Sequence, residues 1–277
     1  VTIQPYAPQQ VVPGLYLPPA PVYVPALPQG LSFLIHGGAK AGKSSLGDTV
    51  PAPRLILDVE GGSRFTHSRK RYWDPSREGV PQQGQHLTAG YGQPSVTPDW
   101  ESAIVMVREA RQVDAVYRIM NSGQHPFNGL TMDSHTEVQQ RMMDDLAGGQ
   151  QLSRDNWGAL LRKMNNMTRQ FRDLITHPVK PIWGMCFITG SHLDSRTGRW
   201  RPMLQGQTAD YLPYYVDVLG YISPAPDGTR HLLIGPHQQY ETGERIGGRL
   251  PMSMQLAYPQ YGIPGYDISN MITQVIG

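Results

Sequence analysis

The chain has 277 residues and a formal net charge of +2, long enough for one large α/β domain with a sizeable core and too near neutral for a histone-like polycation, so any nucleic-acid contact has to come from local patches. A single cysteine excludes an intrachain disulfide and points to the reducing cytoplasm. No apolar stretch reaches transmembrane length and no charged-then-apolar leader opens the sequence, so neither a membrane partner nor secretion is expected.

Residues 1–29 are rich in proline, with Val, Leu and Tyr between (PGLYLPPAPVYVPALP). Proline at this density forbids an internal helix and disfavours a central strand, which leaves an extended or polyproline-II arm. Two readings stay open for it: a lead-in without fixed packing, or an arm lying along the domain or a neighbouring subunit. The apolar run 31–35 has the content of a buried strand. It leads into Gly37, Gly38, Ala39, Lys40, Ala41, Gly42, Lys43 and Ser44, which spell G-x-x-x-x-G-K-S, the phosphate-cradling P-loop. The glycines let backbone N–H groups turn towards phosphate oxygens. Lys43 places an ammonium at the β- and γ-phosphates, Ser44 offers its hydroxyl to Mg²⁺, and Ser45 continues the nucleotide-binding stretch into the next helix. Lys40 either adds charge over the phosphates or is a solvated loop lysine.

The P-loop helix is short, 44–50, because Pro51 and Pro53 follow. A second strand is expected at 54–59, ending in Glu60, Gly61 and Gly62. Residues 63–98 are polar and rich in Gly and Pro, and read as surface loop. Thr97 and Pro98 read as the cap and first residue of a helix running to about Asn121, on the spacing Ile104, Val107, Ala110, Val113, Val116, Tyr117, Met120. A short strand, 129–132, ends in Asp133 and is followed by a helix, 135–146. Ser153 caps the next helix, whose apolar stripe is Trp157, Leu160, Leu161, Met164, Met167, Phe171 and Leu174. A strong strand at 182–189 precedes a polar loop, 190–207. Segments 216–222 and 231–234 read as a β-hairpin and 268–276 as a short helix. The chain thus divides into an arm (1–29), a core (30–250) and a tail (251–277).

Strands alternating with helices imply an α/β fold with a mostly parallel sheet flanked by helices, and in such sheets ligands sit at the carboxyl ends of the strands. The P-loop, Glu60, Asp133 and residues 189–192 would converge there. Asp133, ending the apolar segment LTM, has the Walker B arrangement, a carboxylate on a rigid strand for Mg²⁺; the competing reading is a cap on the following helix. Ser134, not a glutamate, follows it. Glu60 is therefore the leading candidate to polarise the water that attacks the γ-phosphate, with Glu137 as the alternative. The competing reading of Glu60 is a carboxylate accepting backbone N–H bonds in the Gly61–Gly62 turn. Residues 191–207 carry Arg196, Arg199 and Arg201 for phosphates and Trp200 for base stacking, or form a solvated hairpin with a chance arginine cluster.

The trio GGAKAGKS, LILDVEGG and GLTMDSHTEV resembles the RecA core, and more finely the phage nucleotide-binding ATPases of the Sak type, the RecA-core branch of phage single-strand annealing proteins, over roughly residues 31–251. The resemblance implies a RecA-like P-loop NTPase core with a C-terminal β-hairpin beyond the extended arm, and ATP and Mg²⁺ as cofactors. It implies hydrolysis through a water held by Glu60, with Thr189, Ser191 or His192 sensing the γ-phosphate. It makes 191–207 the single-stranded DNA loop and Arg245 or Arg249 a basic finger for a neighbour's site. The expected setting is then a ring or filament of copies in the host cytoplasm, promoting annealing or strand exchange, with single-stranded DNA and a single-strand-binding protein as partners. Two other readings are a nucleotide-gated structural or assembly factor and a small-molecule P-loop kinase with Arg196, Arg199 and Arg201 as its lid.

Overall fold

The computed structural model describes residues 30–82, 100–257 and 262–277, with the backbone of 10–12, 15–16, 87–89 and 93–95. Most of the proline-rich arm, the Thr97–Pro98 helix start and residues 258–261 of the tail lie outside the described residues. The strands are β1 (Gln10–Val12), β2 (Leu15–Tyr16), β3 (Leu31–Gly37), β4 (Arg54–Asp58), β5 (Lys70–Tyr72), β6 (Leu87–Ala89), β7 (Gln93–Ser95), β8 (Ser102–Met106), β9 (Gly129–Asp133), β10 (Gly184–Thr189), β11 (Ser191–Asp194), β12 (Arg199–Pro202), β13 (Val218–Pro224), β14 (Arg230–Leu233), β15 (Gly243–Glu244) and β16 (Ser253–Gln255). The helices are α1 (Lys43–Gly47), α2 (Ala110–Asn121), α3 (His135–Ala147), α4 (Arg154–Asp173), α5 (Thr208–Tyr211) and α6 (Ile268–Ile276).

A ten-stranded sheet runs β16-β14-β13-β3-β10-β9-β4-β8-β5, with β15 also paired to β13. From β13 to β5 every pairing is parallel; β14, β15 and β16 are antiparallel additions at one side. Every residue of β3, β9 and β10 is buried, as a parallel sheet covered on both faces requires. Side chains alternate between two cores. Leu34, Leu57, Met132 and Phe187 join Met164 and Phe171 of α4 on one face. Phe33, Ile35, Cys186 and Ile188 join Leu46 of α1 and Met271 of α6 on the other. Cys186 is fully buried, and burial pushes its thiol well up, so it is an inert core group. The hairpin expected near the C-terminal end is β13–β14. β16 and α6, from the segment 251–277, belong to the sheet and to the second core.

Three expectations change. The helix expected to run from about residue 98 is a strand, β8, followed by the shorter α2. Ala103, Ile104 and Val105 are consecutive and all buried, which a half-exposed helix cannot achieve but a strand between β4 and β5 can. The α2 start is set by a capping box: the Glu109 carboxylate accepts the Gln112 backbone N–H, and Gln112 Oε1 accepts the Glu109 N–H at 3.0 Å. The long loop 63–98 supplies the sheet's edge strand β5 and the separate pair β6–β7. The loop 190–207 is largely the hairpin β11–β12. The α4 stripe holds at Leu160, Met164, Met167 and Phe171, whereas Trp157 at its start is 39% exposed.

Candidate nucleotide site

Strand order decides what can meet. β10 lies between β3 and β9, and β4 lies beyond β9. Their carboxyl ends carry, side by side, the P-loop, Thr189 to Ser191, Asp133, and Asp58 to Glu60. A cleft of about 690 Å³ opens there, bounded by Lys43, Ser44, Glu60, Gly62, Asp133 and Ser134. All nine P-loop residues named from the sequence except Gly38 line it.

Gly42 begins α1 at φ 99°, a backbone that glycine adopts without cost. Lys40 is exposed and holds φ 60°, the left-handed region that side chains other than glycine seldom occupy. The Lys43 ammonium folds back to donate to the carbonyls of Gly38 (2.7 Å) and Gly37 (3.2 Å). Burial lowers its pKa, while Asp133 and Glu60 act the other way. Asp133 is 4% exposed, and its Oδ2 and Ser44 Oγ face the same point beside Gly62. A Cβ at Gly62 would stand 3.2 Å from Ser44 Oγ and 3.6 Å from Asp133 Oδ2, so the absence of a side chain at Gly62 leaves both oxygens uncovered. A hydroxyl and a carboxylate in an uncovered cradle are the hard oxygen donors that Mg²⁺ takes, and Ser44 and Asp133 would hold it.

The competing readings can now be weighed by contacts. Ser134, not Asp133, caps α3: its Oγ accepts the Glu137 backbone N–H at 3.1 Å. Asp58, not Glu60, is the acceptor in the glycine turn. It takes the N–H groups of Gly61 (2.7 Å), Gly62 (3.1 Å) and Ser63 (3.1 Å), and the Ser63 hydroxyl. Glu60 is thereby left exposed on the cleft wall, where it accepts the Ser134 hydroxyl. Glu137 is taken up by Arg141 one helical turn along, at 3.4 Å.

Burial pushes the Asp133 carboxyl up to about 6, helped by Glu60 and Asp58 and opposed by Ser44 and Lys43. A carboxylate whose pKa is raised on folding costs stability above that pKa and gives it back as the pH falls through about 6 towards its unfolded value. Mg²⁺ relieves that cost only where the group is ionised. The Mg²⁺-induced rise in melting temperature should therefore be larger at pH 7.5 than at pH 5, measured by thermal denaturation with and without the metal. An equal rise at both pH values would remove Asp133 from the metal site.

Of the γ-phosphate candidates, Thr189 is fully buried with its hydroxyl unpartnered among the described residues, and Ser191 lines the cleft. His36, at the end of β3, must donate from Nε2 to the Glu241 carbonyl (2.7 Å), so Nδ1 accepts the Ser191 hydroxyl (2.8 Å). Burial pushes this imidazole down to about 4, which keeps it neutral. His192 is half-buried, and its Nδ1 has no partner among the described residues.

Sequence reasoning passed over His36, Thr136 and Arg230. Thr136 accepts the Gly190 N–H (3.1 Å) and donates to the Met203 carbonyl (2.9 Å), tying the end of β10 to the exit of the hairpin. Arg230, at the start of β14, lines the cleft. His36 adjoins the P-loop and Thr136 follows Asp133 by three residues, within DSHTEV; Arg230 comes to the cleft through strand order alone.

The expected DNA residues sit on β11–β12. Arg196 is 74% exposed beside Asp194, and Trp200 is 39% exposed. Arg199 donates to the carbonyls of Tyr240 (2.7 Å) and His237 (3.0 Å). Arg201 is held by Glu241 (2.6 Å), Asp210 (3.0 Å) and Asp194 (3.2 Å). Neither finger candidate lines the chain's own nucleotide cleft. Arg245 pairs with Asp217 at 2.8 Å, and the exposed Arg249 donates to the Val275 carbonyl at 2.9 Å.

A family model, AAA_24, described as an AAA domain, matches residues 29–246, a span that takes in the P-loop, Glu60, Asp133 and the β13–β14 hairpin. The chain belongs to the AAA domain family. No curated protein matches it. The AAA domain marks a nucleotide-binding P-loop ATPase, with Mg²⁺ as the usual companion of the nucleotide. When bound, that ion neutralises charge on the β- and γ-phosphate oxygens. Among the described residues of this AAA-domain protein, no helix is long and apolar enough to cross a membrane.

Proposed function

We propose that this AAA-domain protein hydrolyses ATP in the cleft between β3 and β4 and uses the cycle to act on single-stranded DNA, as a RecA-like phage recombination protein of the Sak type that promotes annealing or strand exchange. The observation that carries the reading is the run of β10 out of the nucleotide cleft, through Gly190 and Ser191, into a hairpin that presents Arg196 and Trp200 to solvent. A cation and an aromatic face on one projection are the parts that grip a phosphate backbone and stack a base. Arg199 and Arg201 have another part: bound to Tyr240, His237 and Glu241, they hold the hairpin against the body. A kinase lid needs mobile arginines, and these two are committed.

In the cleft, Lys43 leaves the Gly37 and Gly38 carbonyls for the β- and γ-phosphates. Ser44 and Asp133 hold the metal, and Glu60 orients the attacking water and takes its proton. Ser134, donating to Glu60, aims that carboxylate. The chain works as a homo-oligomeric ring or filament in the host cytoplasm, with Arg249 leaving the Val275 carbonyl, or Arg245 leaving Asp217, to reach a neighbour, and a single-strand-binding protein as a partner on the DNA.

The test is the ATP hydrolysis rate at low salt with and without single-stranded DNA, in the wild type and in an Arg196→Ala/Trp200→Ala variant. Stimulation by DNA that is lost in the variant, with the basal rate kept, supports the reading. Turnover indifferent to DNA refutes its DNA half and favours the kinase. ATP binding without turnover refutes the hydrolysis half and favours a nucleotide-gated assembly factor.

A further inference from the structure

A second cleft, of about 670 Å³, lies away from the P-loop, between the turn after α5 and the strands β13 and β15. Tyr211 and Tyr214 stand on its wall with Pro213 between them. They are 44% and 77% exposed, unusual for tyrosines that have a core beside them.

Its charges are spent. Arg201 is tied to Glu241 and Asp210, and Arg245 to Asp217. Glu244 accepts the backbone N–H groups of Ile246 and Gly248. With four carboxylates against the three guanidiniums of Arg199, Arg201 and Arg245, the lining carries no net positive charge for a phosphate. The donors left over suit a neutral ligand. They are the tyrosine hydroxyls. Exposed aromatic rings spaced by proline, with hydroxyl donors for carbonyls, are the surface that takes a polyproline-II segment.

The chain carries such a segment, and the described structure that follows it starts beside this cleft. Residues 1–29 contain no Asp, Glu, Lys, Arg or His. Within 17–28 (LPPAPVYVPALP), Pro18 and Pro21, and again Pro25 and Pro28, have the P-x-x-P spacing that puts both rings on one side of a three-residue turn. The described structure resumes at Gly30, and Ser32 already touches the cleft wall, donating from its N–H to Asp217 Oδ2 at 2.8 Å and from its hydroxyl at 2.6 Å. Twelve residues of polyproline-II helix span about 37 Å, ample to reach across a cleft whose wall is met by Ser32, four residues after Pro28.

We infer that residues 17–28 of the same chain dock in the cleft lined by Tyr211, Pro213 and Tyr214. The inference is independent of what the nucleotide site does with DNA.

The test uses the full-length chain with a photo-crosslinking benzoylphenylalanine in place of Tyr23, mixed as light and heavy isotopic copies and mapped by mass spectrometry. The expected crosslinks fall on residues 207–217 or 241–245, join light to light and heavy to heavy, and drop at least fivefold in a Tyr211→Ala/Tyr214→Ala variant that still binds ATP. Crosslinks elsewhere, no crosslinks, a yield unchanged in the variant, or crosslinks joining light to heavy copies would each overturn docking within one chain.

Discussion

Glu60→Gln should bind ATP with near wild-type affinity and lose about 100- to 10,000-fold in turnover, the range that removal of a general base produces. Two contacts make the variant a clean probe. Glu60 is on the cleft wall and outside the hydrophobic core, so its replacement removes no packing. Its partner is the Ser134 hydroxyl, from which a glutamine carbonyl can also accept. The backbone of the glycine turn is secured by Asp58, two residues back, so losing the Glu60 charge leaves the turn in place. The check is steady-state turnover beside equilibrium binding of ATP. Turnover within about threefold of wild type would be far below the effect of a lost base and would move that role elsewhere.

The second large effect is on binding. Lys43→Ala should weaken ATP affinity about 100- to 10,000-fold, because two charge-assisted hydrogen bonds to phosphate are lost, each contributing about 1.5–3 kcal/mol. The fold should survive. The ammonium donates to the Gly37 and Gly38 carbonyls at the entry to the exposed residues 38–40, away from the core. Calorimetric titration with ATP reads the affinity, and a melting curve confirms the fold. Unchanged affinity in a folded variant would place the nucleotide somewhere other than the P-loop.

The parts of the fold legible in the sequence were those where one signal dominated. The apolar run before the P-loop, the DVEGG strand end and the LTMD strand end are short, buried and punctuated by glycine or a carboxylate, and each is a strand at its expected place. β8 was not legible because Ile104, Val107 and Ala110 happen to continue the helical spacing of α2; only pairing with β4 and β5 reveals that consecutive residues are buried. Trp157 continued the α4 stripe in spacing but lies at the helix start, where the core no longer covers it.

The site divides the same way. The P-loop, Glu60 and Asp133 come to one cleft because each ends a strand, and strand ends are readable. Which of Asp58 and Glu60 holds the glycine turn was not readable, since both are carboxylates at the same strand end. It is decided by where the strand ends: Asp58, the last residue of β4, turns inward to three N–H groups, Val59 enters the core, and Glu60, beyond the strand, faces out. His36 and Thr136 lie next to the P-loop and to Asp133 in the chain, but no local pattern announces that β14 brings Arg230 to the same cleft.

The most direct test of the whole account is a crystal structure with Mg²⁺ and ADP–aluminium fluoride, a mimic of the γ-phosphoryl in flight. The account predicts the phosphates on Lys43, the ion on Ser44 and Asp133, and a water in line with the fluoride mimic, hydrogen-bonded to Glu60. A water held by another residue, or a nucleotide lodged outside the cleft between β3 and β4, would contradict it.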